Sequence, residues 1–298
     1  MTRIEHRFGG VWLPIITPFL DGELDKGSFV SLLQHYRDQA IDGYILGATT
    51  GEGMTLNKSE LNQLIYLANE VLGEKKTRPP LFLGLSSSHT QSLVKDIQEW
   101  NKSPIDGYLV TCPYYVRPSQ DGIFEHFEAA ASATDRPIMI YNIPYRTGIN
   151  MTNDCLLRLS EIENIVGLKD CCADASQSAE FNNQRPENFS VLTGEDKQFL
   201  DVLSAGADGG ITMSAHLQTA QFAEVLRQIK LGNPSNAASR WKALRFLPDL
   251  LFAEPSPAPV KYWLWRKELV TSPEVRLPMT PVSATLAQKI DQTIAMGY

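Results

Sequence analysis

The sequence predicts a single (β/α)8 TIM barrel with a small C-terminal helical appendage, and three observations lead there. Short apolar runs recur along the first two-thirds of the chain, at 9–19, 43–50, 79–87, 107–115, 136–144, 165–170, 189–196 and 208–215. Each is almost continuously hydrophobic, as expected of a parallel strand covered on both faces, and lacks the alternation of a half-wet antiparallel strand. The intervals carry helix signals and have the length of a loop, a helix and a second loop. Eight strands alternating with helices close into a barrel whose chemistry gathers at the strand C-termini.

The helical intervals follow in order. Residues 25–40 place Phe29, Leu32, Leu33 and Tyr36 on one face at helical spacing. Residues 57–72 open with Asn57 as N-cap and Glu60 three positions later, a capping-box pattern. Residues 119–134 and 152–159 repeat the theme, and 197–205 end at Gly206, a natural C-cap residue. After residue 215 the strand runs stop. Segments 219–231, 234–252, 259–269 and 283–295 are helical in pattern, interrupted by EPSPAPV and LPMTP. The expected division is 1–220 for the barrel and 221–298 for its last helix plus a C-terminal helical region. No low-complexity linker separates them.

Composition sets the class. A chain of 298 residues with 43% hydrophobic and 20% charged content is ordinary for a globular protein with a large core. A formal charge of −7, without a Lys/Arg cluster, argues against a nucleic-acid surface. The opening MTRIEHRFGG is polar, and no run approaches the length of a membrane span. The four cysteines, Cys112, Cys155, Cys171 and Cys172, form no CxxC pair, and adjacent Cys171 and Cys172 do not easily bridge each other. Reduced thiols of a cytoplasmic enzyme are expected.

The strand ends collect polar residues. The most informative is IVGLKDCC, 165–172, where a buried-strand pattern ends in Lys169. Burial lowers a lysine pKa and frees the amine as a nucleophile toward carbonyls. Taken alone, the stretch also suits a lysine that snorkels to solvent or pairs with Asp170. Strand two ends in Thr49-Thr50-Gly51-Glu52, small hydroxyls and a glycine that let amides approach a carboxylate. Strand four ends in Tyr114-Tyr115. Strand five ends in Tyr141, with Arg146 beyond a proline-fixed turn and able to fork onto a carboxylate. Strands seven and eight deliver Gly194 and Gly210-Ile211, open backbone for a small substrate. A Tyr, a Thr and a Lys on neighbouring barrel mouths suggest Schiff-base chemistry on an α-keto acid, with hydroxyls moving protons and holding the carboxylate. That chemistry calls for no metal and no cofactor beyond the lysine, and no metal-ligand motif is present.

The motifs GATTGE, PYYVRPSQDG, YNIPYRTG, GLKD, TGED, FAEPSPAPVK and LPMTP, in this order from about Gly9 to the end, resemble the dihydrodipicolinate synthase / N-acetylneuraminate lyase family of class I pyruvate aldolases. The resemblance implies that Lys169 forms the Schiff base with pyruvate and that Tyr141 is the proton-transferring phenol. It implies that Thr49 and Tyr115 complete a hydroxyl relay, with Tyr115 reaching into a neighbouring subunit's site. A homotetramer of tight dimers would follow. Thr50 and the Ile211 carbonyl would contact pyruvate, and Arg146 would clamp the carboxylate of a second substrate. The Thr-Thr pair and the arginine are similar to the synthase branch, which condenses pyruvate with L-aspartate-4-semialdehyde to 4-hydroxy-tetrahydrodipicolinate, at the entry to lysine and diaminopimelate synthesis.

Several positions depart from that branch. Tyr145 stands where a small residue is usual, Val116 replaces an Asn, and Asp170-Cys171-Cys172-Ala173-Asp174 replaces the usual run after the lysine. Tyr145 favours an alternative aldolase or dehydratase acting on a 2-keto-3-deoxy acid. The complete relay counts against a second alternative, a non-catalytic binding paralogue. At the places that match the family's lysine-binding cleft stand Lys58, Leu61, Ser88 and Ser92, poor partners for a cation, so weak or absent feedback by lysine is expected.

Overall fold

The computed structural model describes residues 8–298 except Glu74, Lys76 and Ala173. The first seven residues of the polar opening segment, and Ala173 in the run after Lys169, lie outside the described residues. Eight parallel strands form a closed barrel. They are β1 (Gly10–Pro14), β2 (Gly43–Leu46), β3 (Leu81–Leu85), β4 (Gly107–Thr111), β5 (Ile138–Asn142), β6 (Ile165–Asp170), β7 (Ser190–Thr193) and β8 (Gly209–Ile211). Each pairs with its neighbour in sequence, and β8 closes onto β1 from Gly10↔Gly209 to Trp12↔Ile211. The helices after successive strands are α1 (Lys26–Arg37), α2 (Lys58–Leu72), α3 (Thr90–Trp100), α4 (Gln120–Ser132), α5 (Asn153–Ser160), α6 (Ala175–Gln184), α7 (Phe199–Ser204) and α8 (Ala215–Lys230). This is the expected (β/α)8 barrel.

Local chemistry accounts for the boundaries. The Asn57 side chain accepts from the Glu60 N–H at 3.0 Å while Glu60 accepts from the Asn57 N–H at 2.9 Å, so the capping box that starts α2 is present. Beyond α7, Gly206 takes φ +98°, the left-handed conformation that glycine adopts without strain. Two helices fall where none was expected. In α3, Leu93, Ile97 and Trp100 are buried at helical spacing. Polar α6 buries only Ser178 and Phe181, so its sequence pattern is faint. The α8 helix starts at Ala215, before the expected residue 219, and kinks at Gln218 (φ −143°, ψ 50°), so position 220 falls within it.

Four further helices follow: α9 (Pro234–Leu244), α10 (Phe246–Leu251), α11 (Ala258–Arg266) and α12 (Ala284–Ala295). The single helix expected over 234–252 is therefore two. Pro248 has no N–H to donate to Leu244, so the ladder breaks there. No helix among the described residues is long and apolar enough to cross a membrane.

Two apolar clusters make the core. The larger lies between strands and helices, and the smaller fills the barrel with Trp12, Ile45, Phe82, Leu109, Met139, Leu192 and Ile211. Phe8 packs edge-on against Trp12 (5.6 Å) and Phe82 (5.4 Å), which are themselves 5.1 Å apart. Glycines on the intervening strands leave room for these rings. A Cβ at Gly43 would stand 2.3 Å from Trp12 Cδ2, and one at Gly107 would stand 2.6 Å from Phe82 Cζ. Gly43 and Gly107 begin their strands, so the aromatic plug sits toward the N-terminal ends and leaves the C-terminal mouth for polar groups. Replacing Gly43 by Val forces overpacking against Trp12, and a loss of about 2–3 kcal/mol in urea unfolding is expected. A variant as stable as the native chain would contradict this account of the plug.

Candidate active site

Strand alternation decides what enters the mouth. In β5 the even side turns Ile138 and Ile140 toward the helices, while Met139 and Tyr141 face inward. In β6 Leu168 belongs to the helix side, which leaves Lys169 on the inner one. Register sets Tyr141 directly beside Lys169. The Lys169 ammonium nitrogen lies 4.1 Å from the centroid of the Tyr141 ring. Lys169 is 4% exposed, so it neither snorkels nor forms an ion pair with Asp170, whose carboxylate accepts from Ser178 Oγ and the Cys172 N–H.

Burial pushes the Lys169 pKa below that of an ordinary lysine, although Cys171, Asp196 and Glu195 pull the other way. Burial raises the Tyr141 phenol well above the usual range, with Thr49 as a hydrogen-bonding neighbour. The mouth therefore holds an amine biased toward its nucleophilic form against a phenol that keeps its proton. Both tendencies come from desolvation.

The remaining strand ends converge on this pair. Thr49 and Thr50 follow β2, Gly194 follows β7, and Ile211 is the last residue of β8. Arg146 lies on the one-turn helix Pro144–Thr147, whose start is set by the proline. These residues line one cavity with Lys169 and Tyr141, together with Tyr145, Asp196, Met213, Phe252 and Ser256. Gly194 has a steric reason to be glycine: a Cβ there would lie 2.5 Å from Lys169 Cε and 2.4 Å from Cys171 Sγ.

Tyr115 is the exception. It is 89% exposed, lies outside the cavity and holds φ +72°, an uncommon backbone for a bulky residue. Its N–H donates to the Thr147 carbonyl at 3.1 Å, which ties this strained corner to the turn carrying Arg146. All four cysteines are free and buried. Among the described residues no group of three or more His, Cys, Asp and Glu side chains is arranged to hold a metal ion.

Several contributors were not picked out from the sequence. Glu52, in the TTGE turn, has φ +51° and a buried carboxylate that pairs with buried Lys261 of α11 and accepts from the Arg276 N–H at 2.9 Å. Lys261 also donates to the Glu274 carbonyl at 2.7 Å, and the charges of Lys261 and Arg276 each lie 4.2 Å from the Phe19 ring centroid. The C-terminal region thus clamps the turn that carries Thr49 and Thr50. Asp196 is fully buried and accepts from the Ser214 N–H at 2.5 Å and the Met213 N–H at 3.3 Å, bracing the loop beyond β8. Burial pushes its pKa up to about 6. A lysine inside the apolar run APVKYW and an acid directly after a strand-end Gly-Glu were the available signals.

A closed barrel with one desolvated lysine at its mouth, a phenol in contact with it and a cluster of small polar groups around both defines a class I, Schiff-base lyase. The comparisons with known proteins agree: residues 7–296 match the model of the dihydrodipicolinate synthetase family, and the chain belongs to that family. It is 42% identical over 283 residues to 4-hydroxy-tetrahydrodipicolinate synthase 2 of Clostridium acetobutylicum, covering 95% of this chain and 98% of that one. A solved dihydrodipicolinate synthase from Thermotoga maritima superposes with a TM-score of 0.93 at 30% identity, over 98% of this chain and 99% of that one. One from Cyanidioschyzon merolae, with lysine bound, superposes with a TM-score of 0.91 at 33% identity, over 97% of each chain.

Lys261→Met leaves the Glu52 carboxylate buried without its cation, and a loss of about 3–5 kcal/mol in chemical unfolding is expected. The paired change with Glu52→Gln should recover most of it. An equally large loss in the double variant would show that the two residues do not act as a pair.

Proposed function

We propose that this chain condenses pyruvate with L-aspartate-4-semialdehyde to 4-hydroxy-tetrahydrodipicolinate. The observation that supports it most is the desolvated Lys169 in contact with Tyr141, in a cavity that also holds Arg146. The neutral amine adds to the pyruvate ketone, and loss of water gives an imine. Tyr141, with Thr49 beside it, supplies and recovers the protons of these steps. Loss of a methyl proton gives the enamine, whose carbon attacks the aldehyde. The product's amino group then closes onto the imine carbon and releases Lys169. Thr50 and the backbone at Ile211 hold the pyruvate carboxylate, and Arg146 receives that of the aldehyde.

Tyr115 serves a neighbouring subunit in this reading, within a homotetramer built from tight dimers. An exposed aromatic in a strained conformation, with exposed Val116 next to it, supports a surface shaped for contact. The work is done in the cytoplasm, in keeping with four free thiols.

The test is a paired assay on one preparation, with pyruvate plus aspartate semialdehyde in one arm and release of pyruvate from a 2-keto-3-deoxy sugar acid in the other. A much larger kcat/KM for the semialdehyde is expected, together with a borohydride-trapped pyruvate adduct that Lys169→Arg abolishes. Turnover of the sugar acid alone would overturn the aldehyde, and an adduct in the Arg variant would overturn the nucleophile.

Lysine is expected to leave activity unchanged at sub-millimolar concentration. The Lys58 ammonium lies 2.8 Å from Asp96 and also pairs with Glu99, while Leu61 is buried beneath Gly47. Ser88 donates to the Tyr114 carbonyl at 2.6 Å, and Ser92 lies 2.9 Å from His89 Nδ1. These positions offer a second cation no carboxylate. Inhibition in that range would contradict the assignment.

A further inference from the structure

The strand period that turns Lys169 into the barrel places Cys171, two positions on, at the same inner side. The Cys171 N–H donates to the Asn142 carbonyl at 2.9 Å, so this residue continues the ladder between β5 and β6. Neighbouring Cys172 points the other way, with its thiol 3.4 Å from Gln177 Oε1 on α6. The Cys171 sulfur lies against the lysine stem. The point where a Gly194 Cβ would stand is 2.4 Å from Cys171 Sγ, 2.5 Å from Lys169 Cε and 3.1 Å from Lys169 Cγ. Cys171 is 1% exposed and does not line the cavity around Lys169, so it stands behind the amine and out of reach of a substrate.

Sulfur is large and polarisable but a weak hydrogen-bond partner, so a thiol fills this space without solvating a charge beside it. Burial holds the Cys171 thiol well above its ordinary range, which keeps it neutral and withholds a counter-anion from the amine. The other titratable groups facing Lys169 come from three further elements. Tyr141 on β5 keeps its proton, Arg146 on the one-turn helix opposes a second positive charge, and Glu195 and Asp196 after β7 favour one. Asp170, next in the chain, is engaged by Ser178 Oγ and the Cys172 N–H.

We propose that Cys171 is a positioning residue for Lys169: its sulfur backs the lysine stem, excludes water from that side and so leaves the amine free to attack pyruvate. This rests on the Schiff-base step proposed above and adds a residue that acts through Lys169 without meeting substrate. It also gives a role to one of the positions in the run after the lysine that depart from the family pattern. A serine has nearly the same shape but offers the ammonium a stronger acceptor and draws water to it, so the proton is held to higher pH. A valine fills the space with no polar atom and leaves the amine as it is.

The test follows the rate of pyruvate trapping by cyanoborohydride from about pH 6 to about pH 9, the span in which a lysine of lowered pKa titrates. The adduct is read by mass spectrometry on the peptide that carries Lys169. Wild type, Cys171→Ser and Cys171→Val are compared as full chains, so the reagent's own pH dependence cancels. In the wild type the rate rises as the amine loses its proton. Cys171→Ser should move this rise to higher pH by about half to one unit, which on the rising limb is about a three- to tenfold loss of rate at fixed pH. Cys171→Val should keep the wild-type position. A Ser variant whose rise stays in place, or a Val variant that shifts as far as Ser, would overturn the assignment. A lower plateau with the rise in place would mark lost packing alone and overturn it as well. Should the Val protein fail to fold, the Ser result decides by itself. A wild type that traps no pyruvate would overturn the Schiff-base reading, whereas a trapping wild type with an unmoved Ser variant would overturn only the role of Cys171.

Discussion

The whole mouth of the barrel is arranged around the desolvation of one amine. Removing an ammonium from water costs several kcal/mol even after the surroundings relax, so a lysine at this depth tends to lose its proton. The surroundings keep the position tolerable. The Tyr141 ring lies under the amine, Gly194 yields the space for its aliphatic stem, and the acids Asp196 and Glu195 stand near enough to limit the shift. The same lack of solvent holds the proton on Tyr141. A single physical condition thus biases an amine toward its neutral form and keeps the proton on the phenol in contact with it.

That condition depends on what lies beneath. Trp12, Phe82 and Phe8 fill the opposite end of the barrel, and their bulk is possible only because the facing positions on neighbouring strands are glycines. A plugged floor closes the interior to water from that side. The polar layer then occupies the one end where substrate can enter, as the barrel architecture requires.

The C-terminal region contributes to the same end of the molecule. Phe252 and Ser256 line the cavity, and Lys261 and Arg276 hold Glu52 at the base of the Thr49-Thr50 turn. Glu52 sits in a left-handed conformation that no side chain of its kind favours, and it is kept there by a buried pair that would be costly to break. The helices beyond the barrel are therefore part of how the mouth is built. An appendage that merely decorated the barrel would supply neither the clamp nor the wall.

Much of the fold was legible in the sequence, because eight near-continuous apolar runs separated by helical periodicity have few other solutions. Where the pattern was faint, it failed for a visible reason. Polar α6 buries only two of its residues, and the break between α9 and α10 turns on one proline. Lys169, Tyr141, Thr49, Thr50, Arg146, Gly194 and Ile211 were legible as strand-end chemistry and do share one cavity.

What the sequence by itself determined is the identity and order of these residues, since strand period 2 and the barrel rule send strand-end side chains to one mouth. What only the tertiary structure decided is which long-range partners give them their properties. Glu52 and Lys261 are 209 positions apart in the chain, and no local pattern links them. Glu195 follows a strand-end glycine, and only the fold brings it to the same cavity as Arg146, 49 positions earlier in the chain. Desolvation and charge pairing are properties of a packed volume, and a linear order of residues does not contain that volume.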